Sequence, residues 1–203
     1  MTLLKTGQYE KIFRMKATSG VCPAEGMRLA YLAAQVPDGG VIVELGSAWG
    51  RSAAYMADAL REKRIDALIY CIDLWDLGKG ITPERHHAAS AFDMFANNLL
   101  ALGLYGYVRQ IKSDSAAAIK TWRDMESKPI DLLFIDADHS YESVLQDYET
   151  WQGAVREGGR IVFHDYNHAP VRQVIHGTVK PSGNWRKTSI WERLWSATKE
   201  SVL

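Results

Sequence analysis

The stretch VIVELGSAWGRSA, residues 41–53, sets four apolar residues around one acid and then runs into two glycines, Gly46 and Gly50, separated by three residues. A short apolar run rich in Val and Ile reads as a buried strand, and the glycines mark a sharp turn after it. Behind the turn, Ala53, Met56, Ala57 and Leu60 fall at i, i+3, i+4 and i+7 and give a helix one apolar face. Strand, tight turn and helix in that order form the repeating unit of a parallel sheet.

The same alternation continues outward. LIYCID (68–73), IDLLFID (130–136) and RIVFHD (160–165) are further strand-like runs, and YVRQI (107–111) is a weaker one. Each of the four strong runs ends at or just beyond an acid. Tyr141, Val144, Leu145 and Tyr148 repeat the helical spacing after a Ser140 N-cap, with Gly158-Gly159 closing the turn that follows. Pro170 suits the first turn of another helix, with Val171, Val174 and Ile175 inward. The tail WRKTSIWERLW (185–195) reads as a last strand, packed by Trp185, Trp191 and Trp195 or offering them as a dimer surface. The expected fold is therefore a single doubly wound, mostly parallel α/β sheet with a reversed last strand. One domain over 1–203 is expected, with an α/β core at 38–203 and a helical extension at 1–37. Within that extension AEGMRLAYLAAQV (24–36) is the helix, closing over the ligand end or packing on an edge.

The 203 residues suit one well-buried domain. Lys plus Arg and Asp plus Glu both number 24, which leaves no overall field to attract nucleic acid or an anionic membrane. The start MTLLKTGQYEKIFRMK has no secretion-signal run, so a soluble cytoplasmic protein is expected, with a homodimer as the default assembly. Cys22 and Cys71 are too far apart to read as a metal pair, and Cys71 lies inside a strand.

In open parallel sheets ligands collect beyond the carboxyl ends of the strands. Gly46 and Gly50 let a ligand approach the backbone of the first turn, with Ser47 beside it, and Ser52 offers a hydroxyl and N–H at the helix start, suited to a carboxylate. GSAWG lacks the GxGxxG spacing and no phosphate-loop lysine follows, so polyphosphates are disfavoured. Glu44 would repel phosphate too, but welcomes an ammonium group. Asp73, 29 residues after Glu44, can accept hydrogen bonds from ribose hydroxyls. Ser113-Asp114-Ser115 can hold an adenine amino group. Ribose, adenine and an amino-acid end without phosphate describe S-adenosylmethionine.

VIVELGSAWGRSA, YCIDLWD, KSDSA, DLLFIDADHSYESVLQDYETW and GGRIVFHDY, in this order, resemble the class I S-adenosylmethionine-dependent methyltransferases. The likeness is to small bacterial O-methyltransferases and the catechol O-methyltransferase group, over about residues 38–167. It implies that Asp136 and Asp165 hold a divalent metal such as Mg2+ that grips the acceptor oxygens. Tyr166 stands where the group carries a ligand asparagine, and Asn167 falls one residue late as third ligand. His139 stands at the position of the group's catalytic lysine and is expected as general base. His164 is the second choice of base, or a partner of Asp165. Without an ion, Asp136 contacts the cofactor and Asp165 orients His164.

The expected reaction passes a methyl group to a hydroxyl of a small molecule. A nicotinamide-dependent oxidoreductase shares the fold and the ribose acid, and a non-catalytic S-adenosylmethionine-binding protein would share the donor site. His86-His87 in GKGITPERHHAASAF (78–92) lack a partner at ligand spacing and read as a solvated helix start or part of a lid. Trp75 stacks on adenine or joins the core.

Overall fold

A computed structural model describes residues 10–12, 14–15, 20–75 and 90–200. His86 and His87 lie outside the described residues. The order is α1 (Pro23–Ala33), β1 (Val41–Leu45), α2 (Arg51–Lys63), β2 (Leu68–Asp73), α3 (Ala91–Ala101), β3 (Val108–Lys112), α4 (Ser115–Met125), β4 (Ile130–Ile135), α5 (Tyr141–Trp151), β5 (Val155–Phe163), α6 (Ala169–Val174), β6 (Trp185–Trp191) and β7 (Leu194–Lys199). The strands form one seven-stranded sheet in the order β3-β2-β1-β4-β5-β7-β6. β1 pairs in parallel with β2 on one side and β4 on the other, which makes the end of β1 the switch point of the winding.

β1 is buried at all five positions because it has a strand on each side and helices on both faces. Its alternate residues serve different cores. Ile42 packs with Leu29, Met56, Leu60 and Phe95 on the side of α1, α2 and α3. Val41, Val43 and Leu45 pack with Trp122, Tyr148 and Trp151 on the side of α4 and α5. Ser140 caps α5 by accepting from Ser143 N, and Asp114 caps α4 by accepting from Ala116 N and Ala117 N. Beyond α6 the chain continues as one π-helical stretch, Ile175–Val179, with Val171, Val174 and Ile175 buried.

Two details differ from the reading of the sequence. The tail is a hairpin: β6 turns at Glu192-Arg193 into β7, and only β7 runs against its neighbours. A hairpin and a single strand share the same alternation, and Glu192 turns with a φ of 52° that no glycine announces. Gly158 and Gly159 lie inside β5, where the pairing with β4 slips between Ile130 and Leu132, so this strand starts five residues early. Trp185 and Trp195 are buried, while Trp191 is half exposed on the edge strand and donates to Ala24 O. No helix among the described residues is long and apolar enough to cross a membrane.

Candidate active site

A cleft of about 650 Å³ opens beyond the carboxyl ends of β1, β2, β4 and β5. Of the residues expected at a donor site, Gly46, Asp73, Asp114, Ser115 and Asp136 line it. Asp73 closes one end of the turn: its Oδ2 accepts from Ala48 N at 2.8 Å and its Oδ1 from Trp75 N at 2.6 Å. The carboxylate therefore holds the Gly46–Gly50 turn against β2, and each oxygen keeps a further lone pair. Trp75 belongs to the core: it is 3 % exposed, packs edge-on against Phe92 and at a tilt against Phe95, and its indole N–H holds Ala48 O at 2.8 Å.

Glu44, Ser47, Gly50 and Ser52 stand behind this wall instead of in it. Glu44 is fully buried and its Oε2 accepts from Ser47 Oγ at 2.7 Å. Burial pushes its carboxyl up to about 7, against the hydrogen bonds of Ser52 and Ser47. The strand pleat sends residue 44 to the same face as Ile42, toward α2, so its carboxyl braces the turn from below. Gly50 is the N-cap of α2 with a φ of 85°, and a Cβ there would press on the Phe95 ring.

At the other end of the cleft three carboxylates and three bases converge. Asp136 leaves β4 with its N–H on Leu45 O, and His164 leaves β5 with its N–H on Ile135 O, so the sheet sets these residues side by side. His139 Nε2 lies 3.2 Å from Asp165 Oδ2 and 3.6 Å from Asp136 Oδ1. His164 Nδ1 lies 2.8 Å from Asp136 Oδ1 and 3.3 Å from Asp165 Oδ2, close approaches off the line of a straight hydrogen bond. His139 is held above the ordinary imidazole range by its Asp136 contact, against burial and with help from Asp165. Burial alone would lower His164, but Asp136 and Glu25 overcome it and carry this imidazole to about 10.

Glu25 and Arg193 are the members that reading the sequence missed. Glu25 sits in the first turn of α1, fully buried, and its carboxylate accepts from Cys22 N, from Arg193 N, Nε and Nη2, and faces His164 Nε2 at 3.2 Å. Burial would raise it, yet these donors hold it well below the usual carboxylate range. Arg193, at the β6–β7 turn, spans Glu25 and Asp165, donating to Asp165 Oδ1 at 2.9 Å. The N-terminal helix thus reaches the ligand end through one acid. The nearest signal is the acid three residues after Cys22, a helix-start pattern that says nothing about what else it binds.

Among the described residues, Asp136, His139 and Asp165 bring one ligand atom each within 4.8 Å of one another. This spacing fits a divalent ion, but the ligand set differs from the expected one. Asn167, expected as third ligand, is exposed two residues past Asp165, which turns with a φ of 49°. Two oxygens and an imidazole nitrogen suit Mn2+ or Zn2+ better than the all-oxygen shell of Mg2+.

A family model described as a methyltransferase domain matches residues 43–166, from the middle of β1 to just past Asp165. An uncharacterized protein of Acanthamoeba polyphaga mimivirus is 31 % identical over 124 residues, which are 61 % of this chain, and the chain spans half the length of that relative. Among solved structures, the O-methyltransferase TomG from Streptomyces achromogenes in complex with SAM superposes with a TM-score of 0.73 at 15 % identity, covering 99 % of this chain and 93 % of its own. An O-methyltransferase from Bacillus cereus in complex with SAH gives 0.69 at 15 % identity, covering 98 % and 94 %. These structures share the fold, and the matched segment carries the glycine turn and every strand-end acid lining the cleft, so the chain belongs to the methyltransferase-domain family.

Proposed function

We propose that this chain moves a methyl group from S-adenosylmethionine to a hydroxyl oxygen of a small molecule. The observation that carries the reading is a single cleft with Asp73 and the Gly46 turn at one end and His139, between Asp136 and Asp165, at the other. Its volume lies in the range of roughly 300–1,000 Å³ typical of small-molecule sites. Family membership favours this reading over a nicotinamide oxidoreductase.

S-Adenosylmethionine supplies a methyl on a positively charged sulfur; the C–S bond breaks with its electron pair left on sulfur as the acceptor oxygen forms the new C–O bond. The sulfur therefore needs no protonation, and the chain's work is alignment, exclusion of water and removal of the acceptor proton. Asp73 receives the ribose hydroxyls on its remaining lone pairs. Glu44, Ser47, Gly50 and Ser52 act on the donor indirectly, by fixing the turn that Gly46 and Ala48 present. Asp114 and Ser115 border the adenine end. His139 takes the acceptor proton, and Asp136 and Asp165, which face its Nε2, hold the imidazole and balance its charge. His164 and Arg193 fix those two carboxylates in turn.

The same three side chains favour a second reading, in which Asp136, His139 and Asp165 hold a divalent ion that lowers the pKa of the acceptor hydroxyl. His139 is then a ligand and not the base. Titration with Mn2+, Zn2+ and Mg2+, with EDTA as control, separates the two.

The primary test is calorimetric titration with S-adenosylhomocysteine, repeated on Asp73→Ala. Micromolar binding is expected, weakened about a hundredfold by the substitution because two charge-assisted hydrogen bonds are lost. No binding by the folded wild type overturns the donor site. Once an acceptor is found by screening hydroxylated compounds, His139→Ala is expected to lower kcat on the order of a hundredfold while leaving S-adenosylhomocysteine affinity unchanged. An unchanged kcat removes His139 from the chemistry.

A further inference from the structure

We infer that Asp147, on α5, reads the exocyclic amine of the donor's adenine; this rests on the donor site proposed above. Asp147 lines the cleft yet is only 2 % exposed. Its Oδ1 accepts from Ser115 Oγ at 2.5 Å, and its Oδ2 is buried without a hydrogen-bond partner among the described residues. A buried carboxylate oxygen without a donor costs free energy, and native structures rarely leave one unless something completes it.

The neighbours say where along the cleft this oxygen sits. Ser113 N donates to Asp73 O at 3.1 Å, so the turn at Ser113–Ser115 abuts the residue that receives the ribose. Ser115 then joins that turn to Asp147, and Trp151 Nε1 clamps Ser115 O at 2.9 Å, which fixes α5 against the start of α4. Asp147 is therefore joined through Ser115 to the turn that abuts the ribose end. The cleft wall here carries Asp114, Asp138, Ser143 and Gln146 with no cationic side chain among them. Asp114 Oδ1 is already committed to Ala116 N and Ala117 N, and Asp138 Oδ1 to Ser140 N. Such an end attracts N–H donors and repels acceptors. A 6-aminopurine offers a donor at this edge, whereas a 6-oxopurine offers a lone pair. Burial also raises the Asp147 carboxyl to about 6, low enough for it to accept at neutral pH.

The bland alternative is a brace: Asp147 ties α5 to Ser115 and touches no ligand. The experiment that decides is a calorimetric titration of the full chain with S-adenosylhomocysteine and with its 6-oxo analogue, S-inosylhomocysteine, on wild type, Asp147→Asn and Asp114→Ala. Wild type is expected to prefer the adenosyl compound by about ten- to a hundredfold. Asp147→Asn keeps the shape and the Ser115 contact but can turn an amide N–H toward the base, so the preference is expected to vanish or reverse. Asp114→Ala is expected to retain it. A change of preference cannot come from unfolding, and Asp147→Ser, smaller and neutral, serves if the amide is not tolerated. Equal wild-type affinities, or a preference that survives in Asp147→Asn, overturn the inference and leave the donor site standing. Failure of the wild type to bind either compound overturns the donor site itself.

Discussion

Gly46→Ala is expected to destabilise the chain by roughly 2–5 kcal/mol, a large share of the 5–15 kcal/mol that holds an ordinary domain together. A Cβ on Gly46 would lie 2.2 Å from Asp136 O, 2.5 Å from its carbonyl carbon and 2.6 Å from Ala137 Cα. Those are backbone atoms at the end of β4, themselves held by Asp136 N on Leu45 O, so they cannot rotate aside as a side chain would. The φ of 87° adds the cost of a left-handed residue, roughly 1–2 kcal/mol, to an overpacking cost of roughly 1–3 kcal/mol. In thermal unfolding the midpoint is expected to fall by roughly 4–20 °C. Because the displaced residue is Asp136, S-adenosylhomocysteine binding is expected to weaken as well. A midpoint within a degree of wild type would mean that β1 and β4 do not approach each other this closely at their ends. Gly46 thus admits the neighbouring strand as much as it admits a ligand.

Glu25→Ala carries the second large effect, about 3–5 kcal/mol of lost stability, because it leaves Arg193 and the protonated His164 without their shared carboxylate in a buried place. Three parts of the chain meet there: the start of α1, the end of β5 and the β6–β7 turn. Glu25→Gln keeps the shape and several hydrogen bonds and is expected to cost less than half as much. The pH dependence separates charge from packing. A carboxyl held below its unfolded value of 4.5 contributes stability that is present above that value and is lost as the pH falls. Wild type should therefore lose stability steeply in acid, and Glu25→Ala should show a flatter acid limb. Urea unfolding at a series of pH values measures both. Parallel acid limbs in the two proteins would show that Glu25 is neutral in the folded state.

The sequence reading found the strands through their apolar runs, the turn through its glycines, and the strand-end acids through their places after those runs. Such signals are local, since a buried strand or a capped helix leaves its mark within a few residues of itself. Asp73, Asp136 and Asp165 could be named because a parallel sheet puts every strand's carboxyl end at one edge. What each side chain meets across the fold is not a local property. Glu44 was expected to face the ligand, but the pleat and the helices covering that face turn it inward. Asn167 is exposed just past a left-handed residue at 165, a backbone turn that no glycine announces. Glu25 lies 139 positions from His164, and nothing in α1's own pattern points to its partners.

The sequence by itself thus determined the α/β winding, the edge at which the cleft opens and most of the acids along it. Only the tertiary structure decided that the N-terminal helix supplies a buried acid, that the tail folds back to bring Arg193 over it, and that Asp147 keeps an oxygen unpaired beside Ser115. The physical reason is one of range: periodicity and turn chemistry act along the chain, whereas burial, charge pairing and polar satisfaction are fixed only when distant segments close on one another.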